Sequence, residues 1–147
     1  MKWSRQTTEL TLGGAERLLW CALEYAAELN ATVAISVVDR AGYLLCSARM
    51  HDAPGVSAEI SRNKARTSAQ LKVSTRSLQQ LVDRSRASYL SIGSLCPVSG
   101  GVPLEMDGEV IGAIGVSGGT ETIDDDVAAR AVDHFREQLA SEWGGAT

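Results

Sequence analysis

Two short apolar stretches of this chain turn back on themselves, and neither resulting hairpin offers a polar face. Thr32-Val33-Ala34-Ile35-Ser36-Val37-Val38-Asp39 is β-branched and short, which predicts a strand. Arg40-Ala41-Gly42 turns the chain, and Tyr43 to Met50 returns as a second strand. Gly100 to Met106, then Asp107-Gly108, then Glu109 to Ser117 give the stronger hairpin signal, because Asp-Gly supplies the positive φ angles of a two-residue type I′ turn. That turn would set Val102, Leu104, Ile111 and Ala113 on one side, and Pro103, Val110, Ile114 and Val116 on the other. An antiparallel sheet with one wet face alternates apolar with polar, and this one does not. Each side needs a cover of helices or of a partner subunit. The pattern therefore predicts a three-layer α/β/α domain or a buried oligomer face.

The helices that could cover it are visible. Leu12, Ala15, Leu18, Leu19, Ala22, Leu23, Ala26 and Leu29 share one face of a 3.6-residue period, with Asn30 suited to the helix end. A second helix is expected from Val56 to Leu71, and a shorter third after Ser74, whose hydroxyl can cap it. Residues 83–99, rich in Ser, Arg and Gly, give no decided pattern. A last helix is expected to open at Thr122, with Asp124, Asp125 and Asp126 at the positive end of its dipole. Ile123, Val127, Ala131, Phe135 and Leu139 then recur every fourth residue.

Length and charge narrow the function. The 147 residues form one domain, 1–147, without an internal repeat or linker. With 14 basic and 18 acidic residues, the chain lacks the basic footprint of a nucleic-acid binder. No run of about 18 apolar residues is present, so no membrane-spanning helix is expected. The first residues carry no apolar signal segment, and Cys21, Cys46 and Cys96 include no CxxC pair, which together suggest reduced thiols and a cytoplasmic protein. No HExxH, paired Cys/His spacing or Ser-His-Asp set suggests a metal site or a serine hydrolase.

Lys64 is the most informative single residue. It falls in a helical band with Val56, Ile60, Thr67 and Leu71, so it interrupts an apolar stripe. Either its stem packs while the ammonium escapes to water, or the ammonium points into a pocket and binds a carboxylate or moves a proton. Glu105 shares a hairpin side with Pro103, Val110, Gly112 and Ile114. It is either the exposed end of a strand or a pocket-wall carboxylate paired with Lys64 or Arg49. Gly100-Gly101 and Gly118-Gly119 lie at the open ends of that hairpin, where they make turns or present amides to an anion.

The strings Ala34-Ile35-Ser36-Val37-Val38-Asp39-Arg40-Ala41-Gly42, Ala48-Arg49-Met50, Asn63-Lys64-Ala65-Arg66-Thr67 and Gly100-Gly101-Val102-Pro103-Leu104 resemble the GlcG/HbpS-like family, to which the PduO C-terminal domain is related. The glycine-rich run from Asp107 to Gly119 is the most specific part of that resemblance. It implies a profilin-like α/β/α fold with a five-stranded antiparallel sheet, homo-oligomers that are often octamers, and a small-ligand pocket. Arg49, Lys64, Gly100, Gly101 and Pro103 follow the family strings and become the candidate ligand-binding residues. The chain departs from the family where Asp-Gly-Ala is common, reading His51-Asp52-Ala53 instead.

Two functions follow, together with a structural oligomer that contacts a partner protein. One is a binding module for haem or another planar anionic ligand, in which His51, beside a pocket strand, is expected to ligate in preference to His134. The other is a cofactor-independent enzyme acting on a small anionic metabolite, with Lys64 and Glu105 as the catalytic pair.

Overall fold

A computed structural model of the chain describes residues 1–144, with side chains described as far as Glu142. The first helix, α1 (Leu12–Glu28), starts on Thr11, whose hydroxyl accepts the Gly14 amide at 3.1 Å. It ends where Asn30 takes a left-handed φ of 52° and Ala31 N–H returns to Ala26 O at 2.9 Å. This closes the orphan carbonyls as expected of an Asn at that position. The hairpin of β1 (Ala34–Asp39) and β2 (Leu44–Arg49) follows. Its turn is held by Asp39 Oδ1, which accepts the amides of Ala41 and Tyr43. Next come α2 (Ser57–Leu71) and α3 (Thr75–Asp83), the latter capped by Ser74. The second hairpin joins β3 (Gly101–Met106) to β4 (Glu109–Ser117) through Asp107 and Gly108, both at positive φ. The chain closes with α4 (Glu121–Gly144).

All strand pairs are antiparallel, in the order β2-β1-β4-β3. The sheet has four strands where the family resemblance implied five. Residues 84–99 had the length to supply another, but their apolar-polar alternation is confined to Leu90–Gly93 and they form only a 3₁₀ turn at Ala87–Ser91. β3 is therefore an outer strand, which is where a proline such as Pro103 is tolerated.

The register of the second hairpin also departs from the simple reading. A bulge between Leu104 and Glu105 pairs Val102 with Ile114, Pro103 with Ala113 and Leu104 with Gly112. The extra residue on β4 is Ile111, so Val102 and Leu104 share a side with Ile114 and Val116, not with Ala113. That side meets α1 and α4 in the main core, with Leu18, Ile35, Val37, Val127 and Val132. The opposite side meets α2 through small residues. At Gly101 a Cβ would lie 2.5 Å from Lys64 O, and at Gly115 it would strike the Ser61 carbonyl. Ser36 and Ser61 hydroxyls pair across this narrow gap at 2.9 Å. Both faces of the sheet are thus covered by the chain's own helices.

The last helix begins earlier than expected. Thr120 is its cap, with Ile123 N–H on its hydroxyl at 3.2 Å and Asp124 N–H on its carbonyl at 2.8 Å. This start turns Asp124 inward, in phase with the buried Val127, Ala128 and Ala131.

Candidate functional site

Close packing of α2 on the sheet decides where Lys64 goes. Its stem runs between α2 and the end of β4, and Nζ donates to Val116 O at 2.8 Å and to Asp124 Oδ2 at 3.0 Å. Only 2% of the lysine side chain and 4% of the aspartate side chain are exposed. The other carboxylate oxygen, Oδ1, accepts the Gly119 amide at 2.9 Å. Gly100 seals the junction: at φ 124°, an added Cβ would sit 2.5 Å from Val116 O and 3.0 Å from Lys64 Nζ. The Gly101 amide is likewise taken, donating to Thr75 Oγ1 at 2.8 Å. The Gly101 and Gly119 amides therefore serve internal acceptors, Thr75 and Asp124.

The structure brings Lys64, Gly100 and Gly101 together, with Pro103 buried farther along β3 on the α2 side. The others lie elsewhere. Glu105 is exposed beside the bulge, and the carboxylate that meets Lys64 is that of Asp124. Arg49, at the end of the outer strand β2, donates to Ala53 O at 2.8 Å and so braces the turn after it. His51, in that turn, is exposed. Among the described residues, no group of three or more His, Cys, Asp or Glu side chains could hold a metal ion.

The space for a ligand lies on the opposite face of the sheet. Here α1 and α4 run antiparallel, joined at one end by Arg130, which stacks 4.3 Å from the Tyr25 ring centroid and reaches Glu28. Toward the other end they wall a groove of about 820 Å³ together with the N-terminal segment and the second hairpin. Half-buried Met106, Phe135 and Leu139 supply apolar surface over the core residues Leu10, Leu18 and Ile111, and His134 is half-buried among them. The bulge in β4 is what places Ile111 there. Gly13 and Gly14, in the first turn of α1, leave the wall low. The rim carries Glu9, Arg17, Glu24 and Glu142, with Arg17 and Glu142 paired at 3.2 Å. Cys21 also lines the groove, and burial, with a contribution from the Glu24 charge, pushes its thiol pKa upward. Volume and lining both fall in the range of small-molecule sites.

Sequence reasoning did not find this groove. Its residues come from the N-terminal segment, both long helices and the bulge, and no single stretch signals that they converge. Asp124 was within reach, since it stands three, four and seven residues before the apolar Val127, Ala128 and Ala131.

The sequence model of the family described as "Haem degrading protein HbpS-like" matches residues 10–133. The chain belongs to the HbpS-like family. Among curated relatives, Protein GlcG of Escherichia coli (strain K12) is 38% identical over 103 residues, covering 70% of this chain and 77% of GlcG. The crystal structure of Klebsiella pneumoniae protein ORFY superimposes with a TM-score of 0.87 at 35% identity, covering 92% of this chain and 97% of ORFY. The structure of the PduOC–haem complex superimposes with a TM-score of 0.78 at 32% identity, covering 86% of this chain and 94% of the other. Among the described residues, no helix is long and apolar enough to cross a membrane.

Proposed function

We propose that this chain binds a flat, largely apolar small molecule in the groove between α1 and α4, with haem the first ligand to test. The observation that carries the reading is a cavity of about 820 Å³ with an apolar floor and one half-buried imidazole, His134. Membership of the HbpS-like family and likeness to a haem-bound PduOC structure support the choice of haem. The residues present fit that group. Phe135, Met106 and Trp20 offer surface to a ring, and a neutral imidazole is a good axial ligand for iron. When bound, haem supplies an iron centre for redox or oxygen chemistry. The chain's own part is to orient the ring and to shield one of its faces from water.

This reading moves the candidate iron ligand from His51 to His134, because the turn holding His51 is exposed and lies outside the groove. It is also favoured over proton transfer by Lys64 and Glu105. The ammonium of Lys64 is enclosed by Asp124, Val116 and Gly100, while Glu105 is exposed on β3.

We further propose a homo-oligomer, with eight copies as the state the family resemblance implies. The sheet faces no longer argue for it, since α1, α4 and α2 cover them. Its support is exposed apolar surface outside the groove, including Tyr43, Leu44, Leu90 and Ile92. Light scattering at micromolar protein should give a multiple of the 15.6 kDa chain mass, and a monomer mass would refute the oligomer.

Haem titration followed at the Soret band tests the ligand. Wild type and His51→Ala should give the same saturable spectrum, and His134→Ala an altered one. Absence of saturable binding to the wild type would refute the haem reading.

A further inference from the structure

The formal charge of −4 hides a division between the two helical layers. Residues 57–100, which hold α2, α3 and the 3₁₀ turn, carry seven basic residues and two acidic ones. α4, across the sheet from α2, carries seven acidic residues and two basic ones. On the basic side Arg62, Lys72, Arg84 and Arg86 are exposed and have no ion-pair partner among the described residues. Arg66 stands one turn from Arg62, where like charges repel, and its Nη2 meets only the neutral oxygens of Asn63 and Ser94. Its Nε is buried with no hydrogen-bond partner. The bond to Ser94 O folds the segment after α3 back against α2, so these groups share one layer. The same segment leaves Leu71, Val73, Leu81, Leu90 and Ile92 39–61% exposed. Unpaired charge beside bare apolar surface marks a face that a partner covers.

The complementary surface is on the same chain. Asp126, Asp133 and Glu137 are exposed and fall within about 40° of arc around α4. Asp133 has its helix neighbour Arg136 as a partner at 3.4 Å, while Asp126 and Glu137 have no ion-pair partner among the described residues. Phe135 and Leu139, which line the groove, lie on the far side of the helix, so the stripe stays open when a ligand is bound. We propose that copies of this chain join head to tail, the basic α2–α3 face of one against the acidic stripe of α4 on the next. This rests on the homo-oligomer reading above and names the two surfaces that meet. Each copy supplies the carboxylates that the other's guanidinium groups lack, and the exposed leucines and Ile92 leave water with them. Such a contact repeats from copy to copy and closes into a ring where the rotation allows.

Light scattering on the full chain at micromolar concentration tests this, with circular dichroism to confirm that each variant keeps its fold. The wild-type mass should fall toward 15.6 kDa as salt rises from about 0.05 M to about 0.5 M. At low salt, Arg84→Glu with Arg86→Glu should weaken association at least about tenfold, and Asp133→Lys with Glu137→Lys should do the same. Arg84→Gln with Arg86→Gln, which only removes the charge, should weaken it less. An equimolar mixture of the two reversed variants should regain the larger mass. In the mixture the intact faces meet, and the two reversed faces are again opposite in sign. Reversed variants that keep the wild-type mass, or a mixture that stays as small as its parts, would overturn this pairing while leaving the oligomer in place. A basic-face variant that keeps its mass but no longer binds anionic lipid vesicles would give the face to a membrane instead. A wild type that stays at 15.6 kDa in low salt would overturn the oligomer reading itself.

Discussion

Two of the ion pairs that tie α4 to the rest of the molecule differ in almost everything but distance. Lys64 and Asp124 meet at 3.0 Å with nearly all of both side chains buried, and each end has a further hydrogen-bond partner. Arg17 and Glu142 meet at 3.2 Å in open solvent at the rim of a groove. The first holds three segments, α2, β4 and the start of α4, in one arrangement. Removing either partner strands a charge where water cannot reach it. The second can exchange its acceptor at little cost. A charged residue in an apolar stripe can therefore mark a joint of the fold, and a modest surface pair can mark a site.

The contrast is sharpest in stability. Lys64→Met should cost about 3–5 kcal/mol in chemical denaturation, because Asp124 is left buried with the Gly119 amide as its remaining partner. Adding Asp124→Leu to that variant should recover part of the loss, since neither charge then remains. A cost for Lys64→Met below about 1 kcal/mol would mean that the ammonium is solvated after all. Gly100→Ala comes next, at about 1–3 kcal/mol, because a Cβ at φ 124° meets Val116 O.

Groove variants should show the reverse pattern. Phe135→Ala should weaken haem binding about three- to tenfold, the loss of one aromatic stacking partner. Equal affinity for this variant and wild type would place the ring elsewhere. Cys21 should react with iodoacetamide more slowly than a free thiol at mildly alkaline pH. Burial and Glu24 hold its pKa up, so less thiolate is present at a given pH. Saturating ligand should slow it further while leaving Cys46, outside the groove, unchanged. The smallest effect belongs to Arg17→Met, which should move stability by no more than about 0.5 kcal/mol.

Local rules made the hairpins, the Asp107-Gly108 turn, the Asn30 helix end and the Ser74 cap legible in the sequence, because each depends on residues close together in the chain. The side assignment of the second hairpin was not legible. It assumes an unbroken ladder, and the bulge at Ile111 shifts Val102 and Leu104 into company with Ile114. Lys64 stood out correctly as a charge on an apolar face, but its partner comes from 60 residues away. The aspartate that could reach it was hidden among three in a row and read as a dipole partner. His134 looked like an ordinary amphipathic position because the groove beside it exists only once α1, α4 and the N-terminal segment come together.

A structure of the chain with haem bound tests the central claim most directly, since it locates the ligand against both ion pairs at once. The account predicts the ring between α1 and α4, against Phe135 and beside His134, with the Lys64–Asp124 junction unchanged. A ring seated by Arg49 and His51, or one that displaces Lys64 from Asp124, would contradict it.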